Sequence, residues 1–275
     1  MDKNIFKVKG TFVNGEWFNS KNRYDVFNPA NGEKLSDVPI SDNKELELAV
    51  ESAKKAQVAW SKTSLIERAA ALEKLAKKIL EKEEEFALID SYDSGNALTG
   101  MRKDVKETVN NIRYFCGLVR EVKGETFSME NNHLNFTRYQ PYGVVLKINP
   151  FNHPFRFCVE KIAAPLLMGN SLIIKNSEQA PISSLRFCEL LEDIFPKGLI
   201  NVVTGGPENG KYLVEHPDIK RIAVIGSVNT GIAIAKGAAP LLKNVSLELG
   251  GKNPIIVFDD ADPDFAAGLA IKGMN

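Results

Sequence analysis

Apolar positions along the chain change period twice, and those changes lay out the elements. The first forty residues are polar and broken by the turn pairs Asn14-Gly15, Asn28-Pro29 and Asn31-Gly32. Between them Thr11–Val13, Glu16–Phe18 and Tyr24–Phe27 alternate as short strands, read as peripheral hairpins. Helical spacing then takes over. Leu46, Ala49, Val50, Ala53 and Trp60 follow an Asp42/Glu45 capping pair. A second helix opens at Ser64 with Glu67 three residues on, turns Leu72, Leu75, Ile79, Leu80 and Phe86 inward, and ends at Gly95. The charge run Lys77–Glu85 is its solvated face. A third helix covers roughly Met101 to Val122, and the polar stretch from Phe127 to Tyr142 reads as a small hairpin excursion.

From Gly143 the pattern becomes continuous apolar runs: Val144–Ile148, Leu172–Ile174, Ile200–Val203, Ile222–Ile225, Val245–Leu249 and Ile255–Phe258. Helical segments separate most of them, at Phe155–Met168, Ile182–Ile194, Glu208–Glu215 and Thr230–Ala238. Buried strands alternating with helices predict a doubly wound α/β fold, a parallel sheet covered on both faces and preceded by a helical layer. Ligands of such sheets bind beyond the carboxyl ends of the strands. That rule selects Asn149–Pro154, Lys175–Glu178, Thr204–Pro207, Gly226–Gly231 and Gly250–Asn253.

Composition narrows the function classes. Lys plus Arg and Asp plus Glu number 35 each, so the net charge is zero, which argues against a broad grip on nucleic acid or an anionic membrane. No apolar run approaches a membrane span, and the N-terminus lacks the apolar core of a secretory signal. Three scattered cysteines exclude a disulfide framework and suit a reducing, cytoplasmic setting. The His, Cys, Asp and Glu spacings suggest no metal site.

The candidate chemistry sits at the strand ends. Gly226-Ser227-Val228-Asn229-Thr230-Gly231 has the outer spacing of a P-loop, but Ile232-Ala233 stand where Lys and Ser/Thr are required. What remains is a glycine and a serine ending a strand and opening a helix, either a phosphate site or a close-packed turn. Lys175 leaves its strand beside Glu178, a pair that suits a ribose or phosphate and also a plain surface ion pair. Two prolines stiffen Asn149–Pro154 and aim Asn152 at the crevice, as an oxyanion donor requires. His153 reads as a packing histidine. Glu248, inside an apolar strand ending in Gly250-Gly251, is either a buried base with a raised pKa or an edge glutamate facing water.

Taken together these segments resemble the aldehyde dehydrogenase superfamily. The resemblance runs through Asn14-Gly15-Glu16-Trp17, Phe27–Glu33, Asn149–Pro154, Lys175–Glu178, Asn201–Gly205, Ile225-Gly226-Ser227 and, most specifically, Leu247-Glu248-Leu249-Gly250-Gly251-Lys252-Asn253-Pro254. It implies NAD(P)-dependent oxidation of a small aldehyde to a carboxylate, with NAD preferred to NADP. Asn152 would be the oxyanion amide, Glu248 the base and Lys161 part of a proton relay. Lys175 and Glu178 would hold the adenine ribose, and Gly226 and Ser227 the pyrophosphate. Ile148, Phe151, Ser177, Gly205, Thr230 and Leu249 would complete the cofactor envelope. The implied domains are a cofactor domain (1–126 and 149–250), a bridging and oligomerisation hairpin (127–148) and the start of a catalytic domain (251–275). A homodimer or homotetramer is implied for the full-length enzyme.

Phe151 stands where Trp is usual, His153 where an aromatic or aliphatic residue is usual, Asn176 where Pro follows the lysine, and Val224-Ile225 where Phe-Thr are usual. The first two alter the pocket, and Asn176 is expected to loosen the turn that presents Lys175. The family's nucleophilic cysteine follows the Glu248 motif after a further strand and helix. On that pattern Lys272–Asn275 is only the run-up to it, and the chain reads as a truncated N-terminal half, inactive alone. The rival readings are a nucleotide-binding module without redox chemistry and an inert fragment.

Overall fold

The computed structural model describes residues 3–128 and 133–274. After a single 3-10 turn the chain forms two hairpins, β1 (Thr11–Val13) with β2 (Glu16–Phe18) and β3 (Arg23–Phe27) with β4 (Lys34–Pro39). Four helices follow: α1 (Asn43–Trp60), α2 (Leu65–Glu81), α3 (Glu83–Ser94) and α4 (Leu98–Leu118). Strands β5 (Thr126–Ser128) and β6 (Leu134–Phe136) pair as an exposed hairpin. The remainder alternates: β7 (Val144–Ile148), α5 (Pro154–Val159), α6 (Ala163–Leu167), β8 (Ser171–Lys175), α7 (Ile182–Phe187), β9 (Ile200–Val203), α8 (Pro207–Glu215), β10 (Ile219–Gly226), α9 (Val228–Ala238), β11 (Asn244–Leu249) and α10 (Pro263–Met274).

The main sheet has seven strands in the order β11-β10-β7-β8-β9-β1-β2, with β7 to β11 parallel. The order reverses between β7 and β10, which makes their carboxyl ends the crevice of the sheet. Strand alternation sends Val145, Leu172, Ile174 and Val202 into a core with α2 to α7. Val144, Leu146, Ile173 and Val203 pack on the other face with α1, α8 and α9. The doubly wound fold expected from the apolar runs is present.

Helix starts follow the local chemistry. The Asp42 side chain accepts the Glu45 N–H at 2.9 Å, and Ser64 and Glu67 close a reciprocal capping box. Gly95 takes the left-handed conformation that ends α3.

Several expectations need correction. The β1–β2 hairpin is no peripheral ornament, because β1 pairs antiparallel with β9 and extends the main sheet. The helix expected from Ser64 to Gly95 breaks at Lys82, which turns α3 so that Phe86 stacks on Phe155 with ring centroids 4.3 Å apart. Helical runs expected at Phe155–Met168 and Ile182–Ile194 are short helices joined to 3-10 turns. The bridging segment placed at 127–148 includes residues 129–132, which lie outside the described residues, and it overlaps the sheet, since Val144–Ile148 is the buried strand β7. Ile255–Phe258 forms no strand: its side chains stand exposed beyond the edge strand β11, without a described neighbour to complete a ladder. Among the described residues, no helix is long and apolar enough to cross a membrane.

Candidate cofactor and active site

At the carboxyl ends of β7, β8 and β10 lies a crevice of about 840 Å³, within the range of small-molecule sites. It brings together Ile148 and Phe151 after β7, Lys175, Ser177 and Glu178 after β8, and Gly226, Ser227 and Thr230 at the β10–α9 turn. These residues are far apart in sequence and belong to separate motifs.

Lys175 is buried, and burial lowers its pKa. Gly210 of α8 lies over the lysine stem, where an added Cβ would sit in ordinary van der Waals contact with Cδ and Cε at 3.8 Å. The nearest carboxylate oxygen to Nζ is that of Glu178 at 3.9 Å, beyond hydrogen-bond length. A buried ammonium facing a crevice with its carboxylate that far away has donors to spare for a ligand hydroxyl or phosphate. Glu178 itself is half exposed. On the opposite wall Ser227 caps α9, accepting the Thr230 N–H at 3.1 Å, and their hydroxyls lie 2.9 Å apart. The positive end of an eleven-residue helix therefore opens on the crevice. A nicotinamide dinucleotide fits this donor set: an ammonium and a carboxylate at one end, a helix start at the other.

Two expected cofactor residues stand apart from the crevice. Gly205 serves the turn into α8, with a φ of +127° and no room for a Cβ against the Asn209 side chain. Leu249 packs over Gly231 of α9, where an added Cβ would sit 2.7 Å from its methyl carbons.

The catalytic candidates divide as well. Lys161, on the 3-10 turn after α5, brings Nζ to 3.7 Å from Glu248 Oε1, and both line a second cavity of about 510 Å³ with Lys147 and Asn149. Glu248 is no buried base here: β11 is the sheet edge, and the side chain is 68% exposed. Asn152 is exposed on its turn and lines neither cavity, while its carbonyl accepts a hydrogen bond from Asn96 at 2.5 Å. His153 is a packing residue, bonded through Nδ1 to buried Asp104, which raises its pKa. Asn176 does not loosen its turn. It is buried, and it accepts a hydrogen bond from Asn149 Nδ2 at 2.9 Å.

Three buried ionisable groups lie outside the motifs at the strand ends. Lys147 is fully enclosed within β7, donates to the Phe157 and Cys158 carbonyls at 2.9 and 3.1 Å, and is pushed down to about 8 by burial. Asp90 is raised to about 7 and Asp93 well above the usual range, both by desolvation. The signals were present: a lysine inside an apolar strand, and two aspartates in register with Phe86 and Ile89. Cys158 and Cys188 are wholly buried and Cys116 half-buried, with burial raising each thiol. No group of three or more potential metal ligands occurs among the described residues.

A doubly wound parallel sheet with polar groups gathered at its strand-order reversal is the α/β architecture that binds ligands beyond the carboxyl ends of its strands. The sequence profile of the aldehyde dehydrogenase family matches residues 17–274, and the chain belongs to that family. It is 38% identical over 270 residues to aldehyde dehydrogenase tropH of Talaromyces stipitatus, covering 96% of this chain and 52% of that protein. A hydroxyisobutyraldehyde dehydrogenase of Mycolicibacterium austroafricanum is 37% identical, with 95% and 53% covered. The crystal structure of Staphylococcus aureus betaine aldehyde dehydrogenase in complex with NAD+ superimposes with a TM-score of 0.93 at 34% identity, over 96% of this chain and 54% of that one. The chain thus spans about half the length of these relatives.

Proposed function

We propose that the chain is the cofactor-binding part of an NAD-dependent aldehyde dehydrogenase, which oxidises a small aldehyde to its carboxylate. The observation that carries this reading is the crevice shared by Lys175, Glu178, Ser227 and Thr230 at the reversal of strand order.

Lys175 donates to an adenine-ribose hydroxyl and Glu178 accepts from one. The start of α9, capped by Ser227, faces the pyrophosphate. When bound, the dinucleotide supplies the hydride acceptor. Asn152 serves as an amide donor to the oxygen that gains charge when a thiolate adds to the aldehyde, on a turn whose stem is fixed by Asn149. Glu248 accepts a proton from the attacking thiol or water, and Lys161 stabilises the carboxylate before that transfer. None of Cys116, Cys158 and Cys188 is assigned as nucleophile, since each is shielded and held as a thiol. The assembled enzyme is a homodimer or homotetramer acting in the cytoplasm. Its hairpin β5–β6, with Phe127, Leu134 and Phe136 exposed, serves assembly.

The Glu178 carboxylate repels a 2′-phosphate, so NAD+ binds in preference to NADP+. Calorimetric titration of the chain with each dinucleotide tests this. Equal affinities would remove Glu178 from the ribose site.

A further inference from the structure

The loops that follow β7 and β8 are tied to one helix. Asp90 and Asp93 lie three residues apart on α3, each only 2% exposed. Asp90 Oδ2 accepts the N–H of Phe155, the second residue of α5, at 2.9 Å. Asp93 Oδ2 accepts the N–H of Ile182, the first residue of α7, also at 2.9 Å. Helix α5 directly follows the loop carrying Phe151 and Asn152, and α7 follows the segment carrying Ser177 and Glu178. The loops are also joined to each other, because Asn149 Nδ2 donates to Asn176 Oδ1 at 2.9 Å and both residues are buried.

This arrangement costs stability. Neither aspartate has an ion-pair partner among the described residues, and apolar side chains would be buried there at far lower cost. Phe86, on the same helix, already packs on Phe155, and Phe155 meets Phe187 of α7 edge-on at 6.3 Å. Apolar packing therefore holds the three helices together without help. What packing cannot set is the rotation and depth of each helix start, and a hydrogen bond to its free N–H does set it.

We infer that Asp90 and Asp93 are positioning residues that hold the Asn152 loop and the Glu178 loop as one unit, cross-braced by Asn149 and Asn176. The inference rests on the proposed cofactor site for its consequence, though not for its geometry. Fixing both loops to one rigid helix sets the distance between the amide donor and the ribose-binding pair before any ligand arrives.

Backbone amide exchange and NAD+ calorimetry on Asp90→Leu, Asp90→Asn, Asp93→Leu, Asp93→Asn and the control Ile79→Val test it. In Asp90→Leu, exchange rises at least about tenfold at 150–157 and stays unchanged in β8 and β9. In Asp93→Leu the rise falls at 177–184, and NAD+ binds about tenfold more weakly. Each Asn variant restores the parent behaviour, because a carboxamide oxygen accepts the same N–H. The control, destabilised within α2, keeps its NAD+ affinity. If a Leu variant does not fold, the Glu variant, which keeps the charge and misplaces the oxygen by one methylene, shows the same local rise. Exchange that rises uniformly, stays flat in both loops, or is raised as much by Asn as by Leu overturns the inference. A parent chain that does not bind NAD+ removes the proposed cofactor site, while the exchange data still decide whether the clamp exists.

Discussion

Replacing Asp90 by asparagine keeps the acceptor at the start of α5 and removes its ionisable carboxyl. In the folded chain burial raises the Asp90 carboxyl from 3.8 to about 7. The acid form is therefore stabilised by folding. That contribution is fully present below pH 3.8 and is lost as the pH rises to about 7, because the unfolded chain ionises first. Each tenfold step in proton affinity is worth about 1.4 kcal/mol, so the full difference is on the order of 4 kcal/mol. The residue is almost completely enclosed, so solvent screening takes little from that figure. Asp93, Asp104 and His153 interact electrostatically with Asp90 and are present in both proteins, so their own contributions largely cancel in the comparison. Urea unfolding of parent and Asp90→Asn at intervals from pH 4 to pH 8 measures the effect. The variant should match the parent near pH 4 and exceed it by several kcal/mol at pH 8. A difference that stays constant across the range would show that Asp90 is ionised normally and that the buried-acid argument is wrong.

Other outcomes follow from the same geometry. Cys158 and Cys188, enclosed and held as thiols, should resist Ellman's reagent at pH 8 in the native chain, with Cys116 slow, while all three react in denaturant. Fast labelling of Cys158 would contradict its placement on the buried face of α5. Gly205→Ala should lower stability by about 1–3 kcal/mol, since φ is +127° and the new Cβ would fall on the Asn209 side chain that bonds the Ser41 carbonyl. A thermal midpoint equal to the parent's would show that the turn relaxes freely.

Much of the fold could be read from period and punctuation. Uninterrupted apolar runs found β7 to β10, and the Asp42/Glu45 and Ser64/Glu67 pairs located two helix starts to the residue. What could not be read depends on partners distant in sequence. Nothing local at Thr11–Val13 says that β1 will pair with β9, and nothing at Lys82 says that α3 must turn to meet Phe155. Ile255–Phe258 has the composition of a strand, yet composition supplies no neighbour to pair with. In the site, residues with a sequence-local cue at a strand end were found, as with Lys175, Glu178 and Ser227. Glu248 was legible as a residue but not in its exposure, because periodicity does not tell an edge strand from a central one. The fit of Asn176 in its turn depends on Asn149, which lies one strand away, so the sequence around Asn176 does not show it.

The central claim is that the crevice at the ends of β7, β8 and β10 is a dinucleotide site organised around a buried lysine. Calorimetric titration of NAD+ into the parent chain and into Lys175→Ala, with thermal unfolding of both run alongside, tests it most directly. Loss of a hydrogen bond from a charged donor in a largely dry site costs about 1.5–3 kcal/mol. The account therefore predicts saturable NAD+ binding by the parent, at least about tenfold weaker binding by the variant, and an unfolding midpoint that does not fall. Equal affinities in the two proteins, or no binding by the parent, would contradict it.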